Sequence, residues 1–314
     1  MPPLLTVLLV NYNRADDTIA CVESLRQSTF HDFEIIIVDN ASHDGSADIL
    51  AARCPDVTLL RNGVNVGFAE GNNTGIRLAL ERERKYILLL NNDTVVDPRA
   101  LEMLIGTMES YPYPGVAGGK IYYYNRNNVL WFAGGYFNPD SALGGHYGIA
   151  EVDAGQFNAA TTSDFITGCC LLFRREVCDA IGLLDGSYFA YLEDADFCVR
   201  ARRAGFPVMY QPAAVIYHKV STTSSWDSPL YLYFNLRNKI LFLRKNSSPR
   251  RWIPHLPELL YFYVRQFMRL LLKRHDRLKR RAAWWGLVDG IGNFTGTNGE
   301  GRLPLLTDSA GQPR

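Results

Sequence analysis

The stretch that decides the fold is KYILLLNNDTVVDP, residues 85–98. Ile87 to Leu90 form an unbroken apolar run with no helical spacing, which reads as a strand buried on both faces. The run stops at Asn91, Asn92 and Asp93, and apolar residues resume at Val95. A buried strand that ends in three water-seeking side chains reads as one whose carboxyl end opens on a ligand.

The same unit recurs toward the N-terminus. TVLLV (6–10), FEIIIVD (33–39) and VTLLR (57–61) read as three further buried strands. Between them lie an amphipathic helix over 16–28, opened by Asp16 and Asp17 where acidic charge suits the helix dipole, and helices over 46–53 and 70–84. After the quoted stretch, Pro98 sits in the first turn of another helix. Strands and helices alternating with short links predict an α/β fold, Rossmann-like, with a mostly parallel central sheet and helices on both faces. From about 115 to 165 the chain turns Gly-, Tyr- and Asn-rich, and short strands with a mobile loop are expected. Helices follow at 174–182 and 193–204, and strands at PVMY (207–210) and AAVIY (213–217). Beyond Ser221 come long helices rich in aromatic, aliphatic and basic residues, and residues 302–314 read as a frayed end.

A chain of 314 residues with 47% hydrophobic content can bury a sizeable core. Its six cysteines (21, 54, 169, 170, 178, 198) form no CxxC pair and no zinc spacing, so they read as reduced thiols of a cytosolic core. The N-terminus lacks the features of a signal peptide, and no run reaches the roughly 18 apolar residues of a membrane span. A cytoplasmic protein is expected. The net charge of +1 hides an asymmetry, because residues 244–281 carry +10 and the remainder −9. An acidic body with a basic segment points to an anionic partner.

Polar clusters recur at the expected strand ends: Asn11-Tyr12-Asn13-Arg14, Asp39-Asn40, Asn62 with Asn65, and Asn91-Asn92-Asp93. Four such ends at one sheet edge make a site. Asp39 suits a nucleobase or ribose, and Asp93 suits a hard divalent cation, which takes oxygen ligands and keeps several waters. The absence of GxGxxG after the first strand argues against a nicotinamide dehydrogenase, and GVAGGK (115–120) followed by Ile121 is no P-loop. The glycines of GFAEGNNTG (67–75), four apart, suit close helix packing. Glu193, Asp194 and Asp196 open a helix amid Tyr188, Phe189, Tyr191 and Phe197. Desolvation and mutual repulsion raise a carboxyl pKa, as a general base near neutral pH requires; an acidic cap paired with Arg200 or Arg202 is the plainer alternative. His218 follows a strand and is either structural or a metal ligand.

These residues also carry a resemblance. VLLVNYNR (7–14), EIIIVDNASHDGS (34–46), RNGVNVGFAEGNNTGI (61–76), YILLLNNDTVVDP (86–98), ITGCCLLFRREV (166–177), GLLDGSYFAYLEDADFCVRARRAGF (182–206) and VIYHKV (215–220) together resemble glycosyltransferase family 2. The nearest branch is the rhamnosyltransferase-like one, which builds bacterial cell-surface polysaccharides. The resemblance covers roughly residues 4–240 and implies a GT-A fold with an inverting transfer from a nucleotide diphosphate. It implies a catalytic domain over 1–225, nucleotide-sugar binding to about 120 and the acceptor and catalytic part beyond, while composition adds a basic amphipathic helical region over 226–298 and a flexible tail over 299–314. Asp39, with Asn11 and Asn13, then serves the nucleoside, Asn65 and Gly67 the donor pocket, and Asn92 and Asp93 the metal motif. Asp194 becomes the catalytic base with Glu193 beside it, and His218 a further metal ligand. The family's metal motif normally has two aspartates, whereas here Asn91 and Asn92 precede Asp93 alone. The implied cofactor is Mg²⁺ or Mn²⁺, the donor dTDP-L-rhamnose, and the acceptor a saccharide or polyprenyl-linked saccharide. UDP-galactofuranose or UDP-glucose as donor, or a non-catalytic nucleotide-sugar binding module, are the alternatives; the acidic cluster at 193–196 speaks against the last.

In ELLYFYVRQFMRLLLKRHDRLKRR (258–281), Arg265, Arg269, Lys273 and Arg277 recur every four residues beside an apolar face. A basic amphipathic helix of this kind lies on an anionic membrane surface or packs as a lid, and Trp252, Trp284 and Trp285 suit the interface. Docking through residues 244–281 would put the protein on the inner face of the plasma membrane. No nucleic-acid motif accompanies the charge, and no nucleic-acid partner is expected.

Overall fold

In a computed structural model of the chain, residues 3–110, 115–220, 228–272 and 276–295 are described. The expected tail over 299–314, the change in composition at Ser221 and Lys273 of the cationic row lie outside them.

The quoted stretch forms β4 (Tyr86–Asn91) in the middle of the sheet, with Tyr86 to Leu90 buried. It pairs in parallel with β1 (Leu5–Asn11), which pairs with β2 (Phe33–Asp39), which pairs with β3 (Thr58–Arg61). Each fully buried Leu or Ile in these strands contributes on the order of 2 kcal/mol. On the other side of β4 lies β11 (Cys170–Arg174), antiparallel, then β6 (Val116–Tyr123) and β12 (Val208–His218), which are parallel to each other. Six strands of this path therefore point the same way, and β11 and the short β10 (Thr161–Thr162) oppose them. The sheet is mixed and mostly parallel, with helices on its faces, as the alternation predicts.

Three helices cross between the parallel strands: α1 (Ala15–Arg26), α2 (Ser46–Arg53) and α3 (Gly67–Glu81). α3 presses close because it carries glycine where it meets the sheet. A Cβ at Gly75 would come within 2.9 Å of Leu8 and 3.3 Å of Val38, and one at Gly71 within 3.2 Å of Val10. The short β5 (Thr94–Val96) and α4 (Ala100–Ser110) follow β4.

Two expectations change. PVMY and AAVIY are one strand, β12, with a bulge between Gln211 and Val215. Pro212 has no N–H for the ladder, and the bulge takes it out. The segment expected to hold a mobile loop is tied down. β6 forms part of the core, and β7 (Arg126–Phe132) folds back on it. The loop beyond the hairpin of β8 (Gly135–Asn138) and β9 (Leu143–His146) is anchored by buried Lys120, whose Nζ meets Asp153 at 2.8 Å and Asn158 at 2.5 Å.

The remaining helices are α5 (Arg175–Ile181), α6 (Glu193–Arg203), α7 (Pro229–Asn246), the short α8 (Pro249–Trp252), α9 (Leu256–Leu272) and α10 (Arg277–Gly292). α7 starts at Pro229 behind Ser228, whose hydroxyl accepts from Tyr231 N at 3.1 Å. It is no surface attachment: Arg237 and Asn238 are fully buried against the sheet-bearing body. α10 lies along α7, and a Cβ at Gly286 would meet the Tyr233 carbonyl at 2.5 Å. α9 is different, because only Leu259 and Leu270 of its apolar residues are buried. Among the described residues no helix is long and apolar enough to cross a membrane.

Candidate active site

Parallel register brings the polar strand ends together. Asn11 of β1 stands opposite Asp39 of β2, and Val10 opposite Asn91 of β4. β12 ends at His218 against Thr94 of β5, and the residues leading into β11 reach the same edge, since Cys170 pairs with Leu90. Above this edge lies a cavity of about 460 Å³.

Asn11 and Asp39 form the buried foundation of that edge. Asn11 Nδ2 donates to Asp39 Oδ1 at 2.8 Å, and its Oδ1 accepts from Thr18 at 2.8 Å. Ser42 donates to Asp39 from its hydroxyl at 2.6 Å and from its backbone N–H at 3.0 Å. Asn13, left-handed at φ 54°, joins the same loop by donating its N–H to Ser42 Oγ at 2.9 Å. None of these three residues lines the cavity, so their geometry fixes the 40–43 turn. Asn40 faces the cavity instead, donating to Asn65 Oδ1 at 2.9 Å and to the Gly67 carbonyl at 3.1 Å. Asn65 in turn accepts from Gly67 N at 2.9 Å. Gly67 has φ +82°, and a Cβ there would meet the Phe189 carbonyl at 2.5 Å, so no other residue fits this close approach.

On the β4 side, Asn92 donates to Thr18 Oγ1 at 2.8 Å and lines the cavity with Asp93. Asp93 is 5% exposed, and its Oδ1 lies 3.1 Å from His218 Nε2. Asn91 Nδ2 is 3.5 Å from the same nitrogen. Two donor atoms at that separation match one edge of an octahedron with metal–ligand bonds of roughly 2.1 Å. The carboxylate oxygen suits either Mg²⁺ or Mn²⁺, and the imidazole nitrogen beside it favours the transition metal Mn²⁺ of the two. Among the described residues no cluster of three or more His, Cys, Asp or Glu accompanies them, so further ligands would come from amide oxygens, water or substrate.

The acidic cluster divides into three different environments. Asp196 is spent on structure, bound by Arg200 Nε at 2.7 Å, Asn246 Nδ2 at 2.7 Å and Tyr188 Oη at 3.2 Å. Glu193 is almost wholly buried at the cavity edge, and burial, then the neighbouring Asp194, push its pKa well above the usual range, favouring its protonated form. Asp194 is only partly buried and opens on the cavity. Its carboxylate accepts from Gly168 N at 2.9 Å and Ala195 N at 2.7 Å. Burial raises its pKa, while these N–H groups hold the rise down. A raised pKa with an ionised form still supported by hydrogen bonds is what a general base needs.

The loop that presents Asp194 is strained. Phe189, Tyr191 and Leu192 all have positive φ, 64°, 68° and 75°. α7 holds it in that shape. Asn238 Nδ2 contacts the carbonyls of Tyr188, Ala190 and Tyr191 at 3.1, 2.8 and 2.7 Å, and Arg237 donates to Tyr188 O at 2.7 Å.

Thus Asn65, Gly67, Asn92, Asp93, Glu193, Asp194 and His218 meet on one cavity, and Asn11, Asn13 and Asp39 lie beneath its edge. The cavity's far wall was not expected from sequence. It contains Trp131, whose ring lies 4.6 Å from that of His218, and His146, whose Nδ1 is 3.0 Å from the Trp131 carbonyl. Burial lowers His146 to about 4, so it is neutral. Tyr231, Asn235 and Lys239 of α7 complete the wall. Their spacing of four along an aromatic helix was the available signal. Among the described residues six buried side-chain polar atoms lack a partner, and three of them, Glu193 Oε2, His218 Nδ1 and Trp131 Nε1, belong to residues lining this cavity. Such a concentration marks a ligand site.

The fold is of the GT-A type, a mostly parallel sheet whose carboxyl edge carries a polar cleft. Residues 6–182 match the family described as glycosyl transferase family 2, more than half of the chain, and the protein belongs to that family. It is a glycosyltransferase. It is 26% identical over 298 residues to the low-salt glycan biosynthesis hexosyltransferase Agl10 of Haloferax volcanii, covering 93% of this chain and 92% of that one. It is 24% identical over 278 residues to the N-acetylglucosaminyl-diphospho-decaprenol L-rhamnosyltransferase of Mycobacterium tuberculosis, covering 80% and 89%. Among solved structures, the mannosyltransferase PcManGT of Pyrobaculum calidifontis, in complex with GDP-Man and Mn²⁺, superposes with a TM-score of 0.55 at 15% identity, over 97% of this chain and 81% of that one. That likeness concerns the fold.

Proposed function

We propose that the protein transfers a sugar, with inversion, from a nucleotide diphosphate donor to a lipid-linked saccharide during cell-surface polysaccharide synthesis, and that the donor is dTDP-L-rhamnose. The carrying observation is that the Asp93–His218 pair and Asp194 open on the same cavity. The rhamnosyl and hexosyl transferases among its relatives support the donor class.

In this reading the floor at Asn40, Asn65 and Gly67, shaped from below by Asp39, Asn11 and Asn13, receives the nucleoside. Asp93 and His218, with Asn92 beside them, would hold Mg²⁺ or Mn²⁺, which when bound neutralises charge developing on the departing diphosphate. The two relevant bonds belong to one displacement. The acceptor oxygen bonds to the anomeric carbon, the bond from that carbon to the diphosphate oxygen breaks, and the acceptor proton passes to Asp194. Glu193, neutral and almost wholly buried, adds no second negative charge beside the base. Phe189 and Tyr191 exclude water around it.

The acceptor's lipid also offers a reading of α9. Leu256, Leu260, Tyr261, Val264, Met268 and Leu271 are exposed along one face, which a helix packed as a lid would bury. With Arg265 and Arg269 alongside, that face suits an anionic bilayer surface. Flotation with vesicles containing phosphatidylglycerol should carry the wild-type protein and not Leu260→Glu/Met268→Glu; equal flotation of both removes this part. The reaction itself is tested with a panel of nucleotide sugars and Mn²⁺, by thermal shift and then by product analysis. Turnover of dTDP-L-rhamnose with inversion at the anomeric carbon is expected. Retention of configuration, or turnover of UDP-galactofuranose or UDP-glucose instead, would overturn it.

A further inference from the structure

The α7 wall carries a buried cation with no carboxylate to match it among the described residues. Lys239 is 6% exposed, and its Nζ donates to the Ala142 carbonyl at 2.8 Å. The ring of Phe262 lies 5.1 Å from the same nitrogen. An ammonium has three hydrogens to donate, and these contacts supply one acceptor atom and one π face. The chain treats its other basic groups here differently. Lys120, equally buried, has Asp153 and Asn158, and Arg14, the other non-histidine base on the cavity lining, has Asp17 at 3.4 Å. The remaining side of Lys239 is the cavity.

Burial lowers the Lys239 ammonium to about 8, so holding it charged costs free energy that an incoming anion would offset. The side chain is not a relic of the surface. It shares one helix face with Tyr231 and Asn235, at four-residue spacing, and all three line the cavity. Ala142, which receives its one hydrogen bond, precedes β9, whose Gly144, Gly145 and His146 line the same space.

We propose that Lys239, presented with Tyr231 and Asn235 on α7, is a phosphate-binding site for the diphosphate of a bound substrate. The identity of that substrate rests on the function proposed above; the anion site itself does not. The phosphate belongs to the nucleotide donor or to a lipid diphosphate on the acceptor, and the two sources are separable.

The test uses the full-length protein, in EDTA so that no metal takes part, and follows binding of inorganic pyrophosphate, dTDP and farnesyl diphosphate by calorimetry. Lys239→Met keeps the stem against Phe262, Lys239→Gln also keeps a donor to Ala142, and Lys239→Arg keeps the charge. Pyrophosphate should bind about tenfold more weakly to the Met and Gln variants and within a few-fold of wild type to the Arg variant, as loss of one charge-assisted donor gives. A parallel loss for dTDP assigns the site to the donor. A loss for farnesyl diphosphate with dTDP unchanged assigns it to the acceptor. Unchanged binding of all three probes in a folded Gln variant, or no pyrophosphate binding by wild type, overturns the proposal. Pyrophosphate binding through Lys239 in a protein that turns over no nucleotide sugar would keep this site and sink the functional reading instead.

Discussion

The two walls of the cleft are built in different ways. The strand-end wall is set by parallel register: once β1, β2 and β4 pair, Asn11, Asp39 and Asn91 must stand side by side. The opposite wall owes its shape to a few long-range ties, chiefly Asn238 and Arg237 of α7 gripping the carbonyls of Tyr188 to Tyr191. The first wall follows from secondary structure. The second stores strain in the left-handed residues Phe189, Tyr191 and Leu192, and depends on a helix far along the chain to keep it.

The largest effect that could break this comparison lies at the base. Asp194→Asn should lower kcat by about 10²–10⁴-fold, the usual range for general-base catalysis, with donor binding by calorimetry unchanged. Turnover near wild type would remove Asp194 from that role. Next comes the strand-end wall: Asp93→Asn keeps the size of the side chain beside His218 but removes its charge. It should raise the Mn²⁺ concentration for half-maximal rate by roughly 10–100-fold, and an unchanged metal titration would count against the pair.

Asn238→Leu probes the tie itself. The carbonyls of Ala190 and Tyr191 lose their donor while that of Tyr188 keeps Arg237, which should cost about 1–3 kcal/mol in chemical denaturation and lower kcat together with stability. A loss of stability with kcat untouched would separate α7 from the site. The smallest change is expected at Glu193→Gln, since the side chain is already neutral. Turnover should stay near wild type, while stability relative to wild type should gain as pH rises. Glu193 stays protonated in the fold but ionises in the unfolded chain above about pH 4.3, so the wild type loses stability with rising pH over that window and the Glu193→Gln variant does not. In the same vein, burial raises Asp194, so the acid limb of kcat/KM should lie above the ordinary aspartate value near 3.9, with activity lost as pH falls through it. If Glu193→Gln proved as damaging as Asp194→Asn, it would merge two carboxyls that the structure keeps apart.

Much of the sheet was legible in the chain because buried parallel strands announce themselves: TVLLV, FEIIIVD and YILLL need no partner to be read. The polar residues after them were legible for the same reason, since topology alone carries strand ends to one edge. The tucked position of Asp39 was not, because Ser42 and Asn11 hydrogen-bond to it through a turn whose geometry leaves no periodic trace. PVMY and AAVIY looked like two strands because Pro212 interrupts the pattern, and a bulge absorbs such an interruption invisibly. The α7 wall was hidden by its own composition. Tyr231, Asn235 and Lys239 sit among aromatic and basic residues that read as a surface helix, and only packing reveals which row faces inward.

The grip on the Asp194 loop comes from Arg237 and Asn238, within one helical turn of Lys239 on the cavity. The cavity wall and the Asp194 loop are therefore a single mechanical piece, drawn from two stretches distant in sequence. A hybrid enzyme that borrowed α7 from a relative to change its acceptor would also borrow a foreign hold on Asp194, the proposed base. Such grafts should move residues 186–192 and 229–246 as a matched pair, or they will trade specificity for a slack catalytic loop.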